Sequence, residues 1–165
     1  MKKNILFILL CFFQCSILIA QDNKSIKLYT KESYMIPMRD GIMLYTEILK
    51  PIGNTESFPF LLKRTPYGSE TPYEKEDSIK TEKVPAPKRL AEGGYIFVLQ
   101  DIRGRSKSEG VFEVAKPLYH LKDSSKTDES TDAYDTVDWL IKNISNNNGM
   151  AGIYPCNGYD FLSRV

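Results

Sequence analysis

"APKRLAEGGYIFVLQDIRG", residues 86–104, decides the fold class. Its first part reads as a short helix that the glycines at 93 and 94 can end, because glycine enters the left-handed region at little cost. The apolar run that follows, residues 95–99, shows no alternation. A strand with one wet face alternates, whereas a continuous Ile-Phe-Val-Leu run is buried on both faces, as in a central strand of a helix-covered parallel sheet. Helix followed by buried strand is part of a βαβ unit, and the flanking segments supply the remainder.

Upstream, "YMIPMRDGIMLYTEILKP" reads as two strands around a turn at Arg39, Asp40 and Gly41. Ile42, Leu44, Thr46 and Ile48 share one face of the second strand, and Met43, Tyr45, Glu47 and Leu49 the other, which makes a half-buried hairpin. "FPFLLKR" is a further apolar strand ending at Arg64. Residues 65–87 are charged, have little periodicity and read as a long surface loop with room for a helical turn. Downstream, residues 107–130 are polar. "STDAYDTVDWLIKN" is then a helix with Ser130 or Thr131 as N-cap, Asp132 and Asp135 at its positive end, and Ala133, Val137, Leu140 and Ile141 on one stripe. A last short strand occupies residues 151–154. Strands alternating with helices predict an α/β architecture, an antiparallel hairpin leading into a parallel sheet with flanking helices.

The 165 residues carry a net charge of +1, with 42% apolar and 26% charged side chains, within the range of an ordinary globular domain. Such a balance gives no electrostatic footprint for nucleic acid or an anionic membrane. "MKKNILFILLCFFQCSILIAQDN" has two lysines, an apolar run and the small Ala20, the layout of a secretory signal peptide cleaved after residue 20. The competing reading is a single-pass anchor, because the run lies near the lower spanning limit. The bulky residues before Cys15 argue against lipoprotein processing. With residues 1–20 removed, an exported periplasmic or extracellular chain keeps no membrane span and one cysteine, Cys156, so it has no internal disulfide. The expected organisation is a signal at 1–20, a polar segment at 21–33, a partial domain at 34–154 and an aberrant tail at 155–165.

Four stretches carry a resemblance: "MRDGIMLYTEILKP", "LLKRTPYG", "GYIFVLQDIRGRSKSEGVF" and "DAYDTVDWLIKN". In this order and spacing they resemble the serine hydrolases grouped around X-prolyl dipeptidyl peptidases, cocaine esterase, α-amino-acid ester hydrolases and cephalosporin acylases. The resemblance spans about residues 34–154. It implies the N-terminal part of an α/β-hydrolase fold, truncated, and hydrolysis of small-molecule ester, amide or peptide substrates through an acyl-serine, with no metal or cofactor. Tyr67 of "RTPY" is then an oxyanion donor, since acyl transfer needs a donor where the carbonyl oxygen becomes negative. Without the resemblance, Tyr67 reads as a turn tyrosine covering a sheet edge.

Asp101 and Arg103 read as a charged pair fixing a loop after the buried strand, with Gly104 in a tight turn. The five residues 104–108 loosely imitate G-x-S-x-G, but no helix follows Ser106, and a nucleophile elbow needs strand, turn and helix. His120 sits in a polar loop and reads as a surface histidine. The elbow is expected instead after "AGIY", where the family runs into Gly-x-Ser-Tyr-x-Gly. Here Pro155, Asn157, Gly158 and Asp160 stand at the first glycine, serine, tyrosine and last glycine positions. Four departures beginning at one point suggest a gene fragment whose reading frame was lost at or just before the elbow; the competing reading is a clipped gene model or a wrong base call. The expectation is therefore a hydrolase fragment without nucleophile, acid or histidine at the family positions, inactive alone. The alternative is a secreted, non-catalytic binding protein that keeps part of a hydrolase framework.

Overall fold

The structure is a computed structural model describing residues 28–53, 55–69, 78–114, 117–118, 123 and 125–154. The signal-like segment, His120, Cys156 and Asn157 lie outside the described residues. Six strands form one sheet: β1 (Leu28–Pro37), β2 (Met43–Pro51), β3 (Phe58–Thr65), β4 (Ser78–Lys80), β5 (Ile96–Asp101) and β6 (Asn147–Ile153), in the spatial order β4-β1-β2-β5-β3-β6. The helices are α1 (Lys88–Glu92) and α2 (Glu129–Asn143), with a 3₁₀ turn at Thr81–Lys83.

The hairpin forms as expected, β1 pairing antiparallel with β2 from Tyr29 opposite Pro51 to Pro37 opposite Met43. Gly41 takes the turn's positive φ of 83°, which excludes most side chains there. β1 begins earlier than its polar sequence suggests. Leu28 already pairs with Lys80, and Tyr29 is fully buried, donating its hydroxyl to the Ala91 carbonyl at 2.6 Å. The second face of β2 is also buried at its far end, through Glu47 and Leu49.

β5 is buried at every position, as its unbroken apolar run requires. It is parallel to β3 on one side and antiparallel to β2 on the other, so it joins the hairpin to the parallel half of the sheet. β6 lies parallel on the far side of β3. Gly94, at φ 81°, links α1 to β5, and a Cβ there would stand 2.5 Å from the Phe58 ring. Only glycine fits that close approach.

Directly paired residues share a face, which divides the core. Tyr29, Leu49, Phe97 and Leu61 fall on the side of α1, while Thr46, Ile48, Val98, Gln100, Leu62 and Arg64 fall on the side of α2. The bond from Tyr29 to Ala91 and the bonds from Gln100 to Thr136 of α2 confirm the two sides. The helices therefore cover opposite faces.

Four local expectations are corrected. Residues 65–87 are not simply a loop: β4 adds to the sheet edge, and Ile79 is fully buried against the core. One apolar residue between two polar ones is too short a pattern to announce a strand. The α2 N-cap is Asp128, not Ser130 or Thr131; its carboxylate accepts the Ser130 and Thr131 N–H groups, and the Thr131 hydroxyl completes a reciprocal capping box. Ile141 is 40% exposed, and Ile144, just past the helix, packs into the core instead. The final strand is also longer than expected, starting at Asn147.

Candidate functional site

β3, β5 and β6 run parallel, so their C-terminal ends emerge on one edge of the sheet. After β3 the chain leads by way of β4 to α1, and after β5 to α2, and the two helices cover opposite faces. In open α/β sheets such a divergence between neighbouring strands marks where ligands bind. Tyr67 follows β3 at this edge, and Ile102 to Phe112 follow β5. Tyr154, the last described residue after β6, ends there too, its hydroxyl donating to the Pro85 carbonyl at 2.5 Å.

The Tyr67 loop is held by its neighbours. The Tyr67 N–H donates to the Thr65 hydroxyl at 3.1 Å, Gly68 supplies a φ of 97°, and the Ser69 N–H donates to Asp101 Oδ1 at 2.5 Å. Arg105 Nε donates to the Pro66 carbonyl at 3.1 Å, and its guanidinium lies over Phe112. The Tyr67 side chain is 61% exposed at this edge.

Asp101 and Arg103 do not pair with each other. Asp101 accepts the Ser69 and Lys107 N–H groups, while Arg103 forks onto Asp132, with contacts of 2.7 and 2.9 Å, and reaches Asp40 at 2.8 Å. β5 ends at Asp101 and the chain turns at Arg103 and Gly104, so the same-face relation of residues two apart in a strand does not carry over to this pair. Gly104 is needed as expected: at φ 68°, a Cβ would stand 2.2 Å from the Phe112 nitrogen. Ser106 is exposed, has a positive φ of 47° and sits beside Gly68. The described residues after it continue in turns, not in a helix.

Beneath these strand ends lies a buried polar network that sequence reasoning missed. Gln100 accepts Arg64 Nε at 2.9 Å and donates to Thr46 and Thr136 at 3.0 and 2.9 Å. Arg64, its side chain 1% exposed, also donates to the Glu129 carbonyl and lies 2.8 Å from the Glu129 carboxylate. The network fastens the N-terminal turn of α2 to β2, β3 and β5, and so sets where the strand ends stand. A signal existed: Gln100 ends an apolar run, and Asp132 and Thr136 sit four apart on the otherwise apolar stripe of α2.

The ionic rim responds to acid. Burial works against ionised Asp40, but hydrogen bonds from Arg103 and the Ile42 N–H, with the Arg103 charge, hold its carboxyl below the ordinary range. Asp135 is the same: burial opposes the charge, and the hydrogen bonds and charge of Arg39 outweigh it. A folded-state pKa below the unfolded one gives stability that is complete above the unfolded value, about 3.9, and is lost as pH falls through the depressed value. The melting temperature should therefore drop below about pH 4, and Asp40→Asn with Asp135→Asn should flatten that drop. An unaltered acid slope in the double variant would refute the assignment.

A cleft of about 270 Å³ opens at the other end of the sheet, beside Phe58 and Ile96 at the starts of β3 and β5. Its charged residues, Lys50 and Glu32, pair with each other at 3.0 Å. It lies away from the strand ends where Tyr67 stands.

The sequence pattern of the X-Pro dipeptidyl-peptidase (S15 family) matches residues 40–156. The chain belongs to this serine hydrolase family. The S15 stretch contains β2, β3, β5, α2 and β6, and with them the Tyr67 loop and the loop after β5. The cocaine esterase of Rhodococcus sp. (strain MB1 Bresler) is 31% identical over 121 residues, which is 72% of this chain and 18% of that protein. A solved α-amino acid ester hydrolase is 38% identical with a TM-score of 0.62, over 81% of this chain and 22% of that one. An aminopeptidase from a marine sediment Thaumarchaeota archaeon is 36% identical with a TM-score of 0.66, over 86% and 23%. The S15 chain described here thus spans about a fifth of the length of these relatives, and its fold is part of an α/β-hydrolase fold. Among the described residues, no helix is long and apolar enough to cross a membrane.

Proposed function

We propose that this chain is the oxyanion-bearing N-terminal part of an exported serine hydrolase that cleaves ester, amide or peptide bonds of small molecules through an acyl-serine. One observation carries the reading: the Tyr67 loop stands at the C-terminal end of β3, between the strand ends of β5 and β6, held on both sides by hydrogen bonds. A phenol fixed at that edge can donate to the oxygen that becomes negative when a nucleophile attacks a carbonyl. The nucleophile's place is just past Tyr154, where this sequence has Asn157, so the chain alone turns over no ester. Export follows cleavage after Ala20.

Completing the chain after Tyr154 tests this. A Gly-x-Ser-Tyr-x-Gly turn followed by the remaining length of a family member should release a burst of p-nitrophenol from an activated ester. A fluorophosphonate should label the introduced serine, and the chain as given should show neither reaction. Labelling of the unmodified chain at Ser106 would overturn the reading.

A further inference from the structure

The residue best placed to act on Tyr67 is one the family reading treats as framework. Asp101 is fully buried at the C-terminal end of β5, next to the loop that carries Tyr67. Its carboxylate uses one oxygen for the Ser69 N–H at 2.5 Å and the other for the Lys107 N–H at 3.1 Å. It thereby ties two loops together, the one that carries Tyr67 and the one that follows β5. The second loop is itself fixed: the Ser108 hydroxyl donates to the Asp101 carbonyl at 2.7 Å and accepts the Tyr45 N–H at 2.8 Å, and Arg103 anchors it to α2. Arg105 returns from that loop to the Pro66 carbonyl. The peptide before Tyr67 and the amide two residues after it are therefore held from one rigid loop.

We propose that Asp101 is a positioning residue for the Tyr67 phenol, with Arg105 as the second strut. This rests on Tyr67 being the oxyanion donor. The physical argument is one of reach. A tyrosine hydroxyl stands at the end of a long side chain, so a small rotation of the backbone bearing it moves the hydroxyl far enough to lose a 2.7–3.1 Å donor geometry. An oxyanion donor gains its effect by being in place before charge develops. Two hydrogen bonds to one buried carboxylate, one of them short, restrict that rotation more than neutral contacts do. Asp101 is fully buried behind the loop, so the effect of replacing it should fall on turnover and not on binding.

The test is a double-mutant cycle in the completed enzyme. Asp101→Asn keeps one acceptor and places an amide donor against the second N–H. It should lower kcat about ten- to a hundredfold, as expected for a small misplacement of a catalytic group, with KM changed less than about twofold. In a Tyr67→Phe background the same substitution should cost less than about twofold, because the group it positions is already gone. Arg105→Ala, at an exposed residue whose loss leaves the core intact, should show the same pattern with a smaller effect, and decides the matter if Asp101→Asn does not fold. Losses that multiply in the Tyr67→Phe background, or that appear in KM, would overturn the positioning role and leave Tyr67's role standing. A silent Tyr67→Phe would instead overturn the oxyanion assignment itself.

Discussion

Replacing Tyr67 by Phe in the completed enzyme should lower kcat by roughly two to three orders of magnitude, the cost of one lost oxyanion donor. The fold should not change, because the side chain is 61% exposed and contributes little to the core. The loop keeps its own ties through Thr65, Pro66 and Ser69, none of which uses the phenol. His120→Ala should do little by comparison, since the working histidine of an α/β-hydrolase follows the nucleophile in the chain. Steady-state rates on an activated ester, with burst amplitude as a count of active sites, separate the two. An active enzyme indifferent to Tyr67→Phe but silenced by His120→Ala would reverse the roles.

Replacing Arg103 by Met should destabilise the fold by about 3–5 kcal/mol, the cost of leaving a buried charge without its partner. Asp132 is 1% exposed and receives both of its short contacts from the Arg103 fork, so nothing nearby replaces them; Arg64 Nη2 stands 3.9 Å away. Asp40 loses its partner as well. Arg103→Lys should recover only part of the loss, because an ammonium cannot span Asp132 and Asp40 as a planar fork does. A second change, Asp132→Leu on top of Arg103→Met, should recover stability by removing the stranded charge. Urea unfolding measures all three, and a loss below about 1 kcal/mol for Arg103→Met would show that the network does not hold α2 to the sheet.

The buried network also explains why part of the site escapes sequence reading. Arg64, Gln100, Thr136 and Asp132 come from three elements and look unremarkable apart; only the packing of α2 across β3 and β5 makes them one group. In a low-dielectric interior each needs the others, so their meaning is collective. Asp101 and Arg103 were legible as important and misread as partners. Two residues apart in a strand they would share a face, but the strand stops at Asp101 and Arg103 turns onto Asp132, which is known only once α2 is in place.

The sequence by itself determined the elements whose signal is local. The unbroken apolar run of β5 required burial on both faces, the turn at Asp40 and Gly41 required a hairpin, and the order of four motifs specified the hydrolase family. The first two follow from periodicity and turn chemistry, which act over a few residues, and the third from the order of motifs along the chain. Tertiary structure decided much of the rest. β4 exists because Leu28, Tyr29 and Thr30 offer it an edge, and Ile144, just past α2, packs into the core where Ile141 stays 40% exposed. The strand edge and the Ile144 packing depend on what lies opposite in space, a partner whose distance along the chain no local pattern encodes, whereas the Asp128 cap is a local capping box that the sequence reading passed over.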